Sequence, residues 1–191
     1  MAHFCIRHPV ISFFVLMFLL FSTSSYASKI VEINDICKQT MKNPSFCLSI
    51  LNSKPGGAKG ADLVSLSQYI IDVARDNITN TVNLIKSLII ESGNDPKAKA
   101  HYETCLVHFD DESESCALSD INYTQELLKK GDYGGVNIAA SAVQTDVEDC
   151  ISGESPGDTP YHDTSKLPQY ADVIKQVVDI ILIMSNYLVQ N

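Results

Sequence analysis

The sequence predicts an all-α protein, an up-and-down four-helix bundle preceded by a short N-terminal helical hairpin and stabilised by two disulfides. Apolar residues recur at helical spacing along nearly the whole chain after residue 28, and no segment shows the sustained alternation of a β-strand. Segments rich in Gly, Pro and Ser separate four long helical stretches. Five cysteines follow the N-terminal segment, and four of them occupy positions that suit pairing.

The first 27 residues have the layout of a secretory signal peptide. A polar start containing Arg7 leads into an apolar run over 10–21, and the small residues Ser25 and Ala27 suit cleavage after Ala27. The apolar run is too short to span a membrane, which needs roughly 20 residues. We therefore expect residues 1–27 to be removed, leaving a secreted chain without a membrane segment.

Residues 28–54 are predicted to form the helical hairpin. A short element over 29–41 reaches the turn signal Asn43-Pro44, and a second helical element follows it. Cys37 and Cys47 lie on the two arms, close enough to be joined. After a breaker-rich linker over 54–60, we assign residues 61–191 to the four-helix bundle.

The longest helix is predicted over 61–91. Its apolar residues recur every three or four positions, as on the buried stripe of an amphipathic helix: Leu63, Leu66, Ile70, Val73, Ala74, Ile78, Val82, Ile85 and Ile89. We predict its end at 92–96, where a glycine follows the last helical turn and a proline can open the next helix.

The second bundle helix is predicted to be interrupted. It begins near Pro96 and has a core face made of Ala98, Tyr102, Cys105 and Phe109. The apolar stripe resumes at Leu118, but the distance from Cys105 to Leu118 rotates an α-helix by roughly 220° beyond whole turns. We therefore predict a kink, bulge or short loop between Asp110 and Ser115, followed by a helix that ends at Lys130.

The third helix is predicted over 136–151, after a glycine-rich break at 131–135. Its core positions keep a heptad spacing: Val136, Ala140, Val143, Val147 and Cys150. Because Cys105 and Cys150 both lie on core faces, we expect them to pair across the bundle. A surface loop over 152–166 then leads to the last helix from Leu167, whose inward residues are predicted to be Tyr170, Ile174, Val177, Ile181, Met184 and Leu188.

The sequence contains no motif of an enzyme or a metal site. Cys116 remains as the odd cysteine, and we expect a free thiol or an intermolecular bridge, because nearby carboxylates oppose the thiolate that catalysis needs. His101 and His108 share a helix face at a spacing that does not suit metal binding, so we expect both to be solvated, as is His162 in a loop. We predict no catalytic residue, no cofactor and no metal.

The chain is acidic, with a formal net charge of −9. This charge opposes binding to nucleic acid and favours a basic partner. The acidic pairs of the third helix, Asp146/Asp149 and Glu148/Asp149, are expected to be solvated. Sequons at Asn77 and Asn122 are candidate N-glycosylation sites if they face solvent.

The cysteine frame and its surroundings resemble the plant invertase and pectin methylesterase inhibitor family. The matching stretches are spread along the chain after residue 27: 36–40, 43–47, 95–97, 102–105, 131–133, 137–142 and 149–150. The resemblance implies a four-helix bundle with an N-terminal hairpin, and the bridges Cys37–Cys47 and Cys105–Cys150. It also implies an extracellular protein of the cell wall that forms a one-to-one complex with an enzyme and blocks its active-site cleft.

The target is predicted to be pectin methylesterase, with cell-wall or vacuolar acid invertase as the alternative. Gly131-Asp132-Tyr133 followed by the segment 137–142 is more similar to the pectin methylesterase branch. The invertase branch has Pro-Lys-Phe where this chain has Tyr133-Gly134-Gly135. A relative with lost or redirected activity is left open, as is a dimer in place of the expected monomer.

Polar positions off the apolar stripes of the first three bundle helices are our candidate enzyme contacts. They are Asp72, Asp76, Glu103, Asp110, Asn137, Thr145, Asp146 and Glu148. Partial protonation of such carboxylates in an acidic cell wall predicts pH-dependent binding. Asp149 stands where the family commonly has Thr, and 111–115 resembles an insertion in a helix that builds the contact surface, so target choice can differ.

Overall fold

The computed structural model describes residues 31–40, 42–111, 115–153 and 161–190. These ranges contain α1 (Ile33–Cys37), α2 (Pro44–Asn52), α3 (Leu63–Glu91), α4 (Pro96–Phe109), α5 (Ala117–Lys130), α6 (Tyr133–Ser152) and α7 (Leu167–Val189), and no strand. None of these helices has the length and hydropathy of a membrane span. The predicted signal peptide, residues 1–27, lies outside the described ranges.

Four columns of helix form the bundle, and α4 and α5 share one of them. α3 packs against α4, α5 and α7, and α6 packs against the same three helices. α3 and α6 therefore occupy opposite corners, with α5 between them on one side and α7 on the other. The predicted all-α fold with a four-helix bundle is confirmed.

The core is formed by the predicted apolar stripes. Ile70 of α3, Phe109 of α4, Val143 of α6 and Ile181 of α7 are fully buried, and burial of each such side chain contributes about 1.5–3 kcal/mol. The prediction that Tyr170 points inward is wrong, since it is 39% exposed. Tyr170 lies in the first turn of α7, at the rim of an open groove against α3.

The N-terminal hairpin is present, but its first helix is shorter than the predicted 29–41. α1 ends at Cys37, and Thr40 Oγ1 donates to the Cys37 carbonyl oxygen at 2.7 Å, which turns the chain towards α2. Asn43 caps α2 by accepting from the Phe46 backbone N–H at 3.1 Å. The Cys37–Cys47 disulfide joins the two helices with a Cα–Cα distance of 5.4 Å.

The interruption of the second bundle helix is confirmed. α4 ends at Phe109 and α5 begins at Ala117, and both of these residues are fully buried. The core therefore continues across the break. Residues 112–114, part of the stretch that resembles an insertion, lie outside the described ranges. Cys116 is the N-cap of α5, and its backbone N–H donates to Ser119 Oγ at 3.0 Å.

The break between α5 and α6 is tighter than predicted, because α6 starts at Tyr133 and not near Val136. Gly131 ends α5 with a positive φ of 74°, which glycine adopts without strain. Asp132 then caps α6 by accepting from the Gly135 N–H at 2.9 Å. A Cβ at position 135 would lie 2.5 Å from Asp132 Oδ2, so this cap requires a glycine there.

Candidate functional site

The seam between α3 and α5 is organised by Arg75, the only arginine after the predicted signal peptide. Its Nη1 donates to Asp72 at 2.8 Å, its Nη2 to Gln125 at 2.7 Å and its Nε to Asn122 at 2.7 Å. Gln68 and Gln125 also donate to Asp72, at 3.1 and 3.2 Å. The planar guanidinium thus bridges two helices and neutralises one carboxylate.

The seam between α5 and α6 brings carboxylates together, and no cation among the described residues pairs with them. Asp146 of α6 faces Asp120 of α5, with Asp149 nearby, and Ser115 Oγ donates to both oxygens of Asp120 at 2.9 Å. Burial, and then the charges of Asp120 and Asp149, raise the pKa of Asp146 from 3.8 to about 7.

A proton on Asp146 would supply the hydrogen-bond donor that this pair of carboxylates lacks. Asp146 Oδ2 is buried and has no hydrogen-bond partner among the described residues. Two ionised carboxylates hold no donor between them, whereas one shared proton lets Asp146 hydrogen-bond to Asp120. The expectation that Asp146 is a solvated surface carboxylate is therefore wrong, because the neighbouring helix covers it.

Two of the predicted contact residues, Glu148 and Asn137, form interactions at the seam between α6 and α7. Glu148 pairs with Lys175 of α7 and accepts from Ser152 Oγ at 2.6 Å, and both interactions hold the pKa of Glu148 below its ordinary value. Asn137 Nδ2 donates to Ser185 Oγ of α7 at 2.8 Å. These two side chains help to hold α6 against α7.

The remaining predicted contact residues differ in their exposure and in their ion pairs. Asp76 of α3 and Thr145 of α6 are exposed on the outer surface. Glu103 is exposed on α4, where Lys99 lies 3.7 Å away. Asp110, at the end of α4, accepts from Lys86 Nζ at 2.9 Å.

The outer sides of α3, α5 and α6 form one continuous surface, because α5 packs between the other two helices. We call it the α3–α5–α6 face. Of the predicted contact residues, it contains Asp72, Asp76, Thr145 and Asp146. It also contains two exposed apolar side chains, Tyr123 of α5 at 52% and Ile138 of α6 at 74%. Asn137 and Glu148 face α7, and Glu103 and Asp110 lie on or beside α4.

Several residues of this face carry its chemistry but were not predicted as part of it from the sequence: Arg75, Asp120 and Gln125. Asn122 was predicted only as a candidate N-glycosylation site. Arg75 had one usable signal, since a single arginine among acidic and amide side chains at helical spacing can bridge to a neighbouring helix. Asp120 had none, because its effect on Asp146 depends on how two helices separated in sequence are packed.

His101 is not a solvated residue, contrary to the prediction from its helix face. Its side chain is 11% exposed and its ring stacks on Tyr161 with a centroid distance of 4.6 Å. Tyr102 Oη donates to Asp163 at 2.9 Å beside it. Burial lowers the pKa of His101 despite the opposing effect of Asp163. This cluster attaches the segment before α7 to α4, so a structural role is enough to explain why His101 is buried.

Among the described residues, the cysteines leave no reactive thiol at the surface. Cys105 and Cys150 form a disulfide with a Cα–Cα distance of 4.5 Å, which joins α4 to the end of α6. Cys116 is free but only 2% exposed, so the intermolecular bridge considered for it would require the fold to open. Among the described residues no group of acidic, His and Cys side chains is arranged to hold a metal ion.

Comparison with known proteins agrees with this architecture. The sequence model of the plant invertase/pectin methylesterase inhibitor family matches residues 31–184. A pectinesterase inhibitor from Actinidia deliciosa is 36% identical over 82% of this chain and 78% of its own length, and pectinesterase inhibitor 1 from Arabidopsis thaliana is 34% identical over 92% and 93%. The crystal structure of mutant form A of a pectin methylesterase inhibitor from Arabidopsis superposes with a TM-score of 0.65 at 30% identity, covering 82% of this chain and 97% of that one. The chain therefore belongs to the plant invertase/pectin methylesterase inhibitor family.

Proposed function

We propose that this protein is a secreted, extracellular inhibitor of pectin methylesterase, which it binds one-to-one as a monomer across the enzyme's active-site cleft. The observation that carries the proposal is the similarity to two pectinesterase inhibitors, at 36% and 34% identity over most of the chain. Both relatives and the family are inhibitors and not enzymes.

The α3–α5–α6 face is the surface that we propose for docking. It combines exposed polar positions such as Asp76 and Thr145 with the exposed apolar side chains Tyr123 and Ile138. A mixture of an aromatic, an aliphatic and polar groups is typical of the centre and rim of a protein interface. A stable complex of ordinary size would bury roughly 1,600 Å² in total, and a helical surface of that size would exclude a polymeric substrate from the cleft.

The charge of the face favours a basic rim on the enzyme. Asp76 is exposed and forms no ion pair with a described residue, whereas Asp72 is already neutralised by Arg75 at 2.8 Å. A free carboxylate steers a cationic partner and contributes to binding when desolvated against it. Asp76 is therefore the carboxylate on this face that is best placed to pair with the enzyme.

The proposal is tested by titrating pectin methylesterase with the purified protein and measuring ester hydrolysis. We expect activity to fall linearly and to reach its minimum near one equivalent, with a complex of one-to-one mass in light scattering. Acid invertase, titrated in parallel, serves as the control enzyme and should retain its activity. Pectin methylesterase activity that stays unchanged at a large excess of the protein would refute the proposal.

A further inference from the structure

The two sequons lie in different surroundings. Asn77 of α3 is half-buried beside the α7 groove, and its Nδ2 donates to the Val73 carbonyl oxygen at 2.8 Å. Asn122 of α5 is exposed, and its hydrogen bond to the described residues uses Oδ1, which accepts from Arg75 Nε. A sugar on Nδ2 leaves one N–H on that nitrogen, which at Asn77 already lies against the Val73 carbonyl oxygen, whereas at Asn122 the nitrogen makes no hydrogen bond to a described residue.

The chemistry of glycosylation is compatible with the native contact of Asn122. The transfer forms a bond between Nδ2 and C1 of the first sugar and breaks the C1–O bond to a lipid diphosphate donor, which leaves while Nδ2 gives up one proton. The amide oxygen is not changed, so it can still accept from Arg75. At Asn77 the same reaction would place a bulky sugar in the groove lined by Tyr170 and Val173.

The position of Asn122 on its helix places such a glycan on the α3–α5–α6 face. Residues 120 and 122 diverge by about 200° around an α-helix, so Asp120 faces α6 while Asn122 bonds to Arg75 on α3. Tyr123, 52% exposed, is the next residue along the chain. A glycan attached here projects from the middle helix of the face.

We propose that Asn122 carries an N-glycan, that Asn77 does not, and that the glycan at Asn122 covers the α3–α5–α6 face and weakens docking. The occupancy of Asn122 then sets how much of the secreted protein is an active inhibitor. This inference rests on the proposed function, because it requires passage through the secretory pathway and docking through this face.

Thr124 provides a variant that removes the sequon without altering Asn122. Its side chain is fully buried, and Oγ1 donates to the Asp120 carbonyl oxygen at 2.7 Å within α5. Thr124→Val keeps the shape, and Thr124→Ser keeps both the hydroxyl and the sequon. Thr79→Val removes the other sequon and is the matched control, since its Oγ1 also donates within its own helix, to Arg75 O at 2.9 Å.

The experiment expresses the full chain in plant cells and separates the secreted protein on a lectin column. We expect the native protein, Thr79→Val and Thr124→Ser to contain a lectin-binding form with a glycan on the Asn122 peptide, and Thr124→Val to contain none. In a titration of pectin methylesterase, the lectin-binding form should inhibit at least tenfold more weakly than the unbound form, and Thr124→Val should match the unbound form.

Each other result overturns a named part. A native protein with the mass of the polypeptide alone refutes the modification, and a glycan on the Asn77 peptide refutes its assignment. Equal inhibition by both glycoforms refutes the covering of the face. If neither glycoform nor Thr124→Val inhibits the enzyme, the proposed function fails, and the regulation inferred from it fails with it.

Discussion

The two seams on either side of α5 accommodate a partly buried carboxylate in different ways. Against α3, Asp72 is surrounded by donors and by the Arg75 guanidinium at 2.8 Å. Against α6, Asp146 faces the carboxylates of Asp120 and Asp149, and its pKa rises to about 7. The comparison teaches that one seam pairs its carboxylate with a guanidinium, whereas the other gathers carboxylates and contains a group that changes its charge near neutral pH.

The largest expected effect comes from removing the covalent link beside the α5–α6 seam. The Cys105–Cys150 disulfide closes a loop of sequence separation 45, whereas Cys37–Cys47 closes one of 10. Chain entropy predicts a loss of roughly 4 kcal/mol in the free energy of unfolding for Cys105→Ala/Cys150→Ala, and roughly 3 for Cys37→Ala/Cys47→Ala. Guanidinium unfolding of both double variants measures this order, and a reversed order would contradict it.

The second largest effect is expected at the seam between α3 and α5, which contains Arg75. Arg75→Ala removes two hydrogen bonds to α5 and one to Asp72 within α3, and it leaves Asp72 without its cation. We expect a loss of about 2 kcal/mol in the free energy of unfolding, of similar size from pH 5 to pH 8. Arg75→Lys, which keeps the charge but not the planar donor set, should recover only part of it. Full stability in Arg75→Ala would show that the network is dispensable.

A smaller effect is expected at the seam between α5 and α6, which contains Asp146. Because the pKa of Asp146 is about 7 in the folded protein and ordinarily 3.8, the folded state binds more protons than the unfolded state between these values. This contribution to stability is full below about pH 4 and is lost as the pH rises through 7. Allowing for solvent screening of a half-buried group, we expect a decrease of about 1–2 kcal/mol.

Asp146→Asn isolates this effect, because the amide can donate to Asp120 without titrating. We expect the variant to flatten the decrease in unfolding free energy between pH 4 and pH 7, as followed by thermal or urea unfolding. Asp72→Asn, at the seam with the arginine, is the matched control and should leave the decrease in place. A steep pH dependence that persists in Asp146→Asn would mean that another group causes it.

The period of apolar residues was enough to predict the bundle, its four columns and the break between α4 and α5, since burial of one face per helix is a local pattern. The start of α6 was predicted late because Asp132 caps it through a contact with Gly135, which overrides the glycine-rich composition. The surroundings of His101 and Asp146 could not be predicted, because Tyr161 and Asp120 reach them from other parts of the chain.

The measurement that tests the central claim most directly places one large side chain on each of two exposed helix positions. Thr145→Arg alters the α3–α5–α6 face, and Glu103→Arg alters α4 outside it. In titrations of pectin methylesterase we predict at least a tenfold weaker inhibition by Thr145→Arg and native inhibition by Glu103→Arg, with both proteins folded by circular dichroism. Native inhibition by Thr145→Arg together with loss in Glu103→Arg would place the docking surface elsewhere and contradict the account.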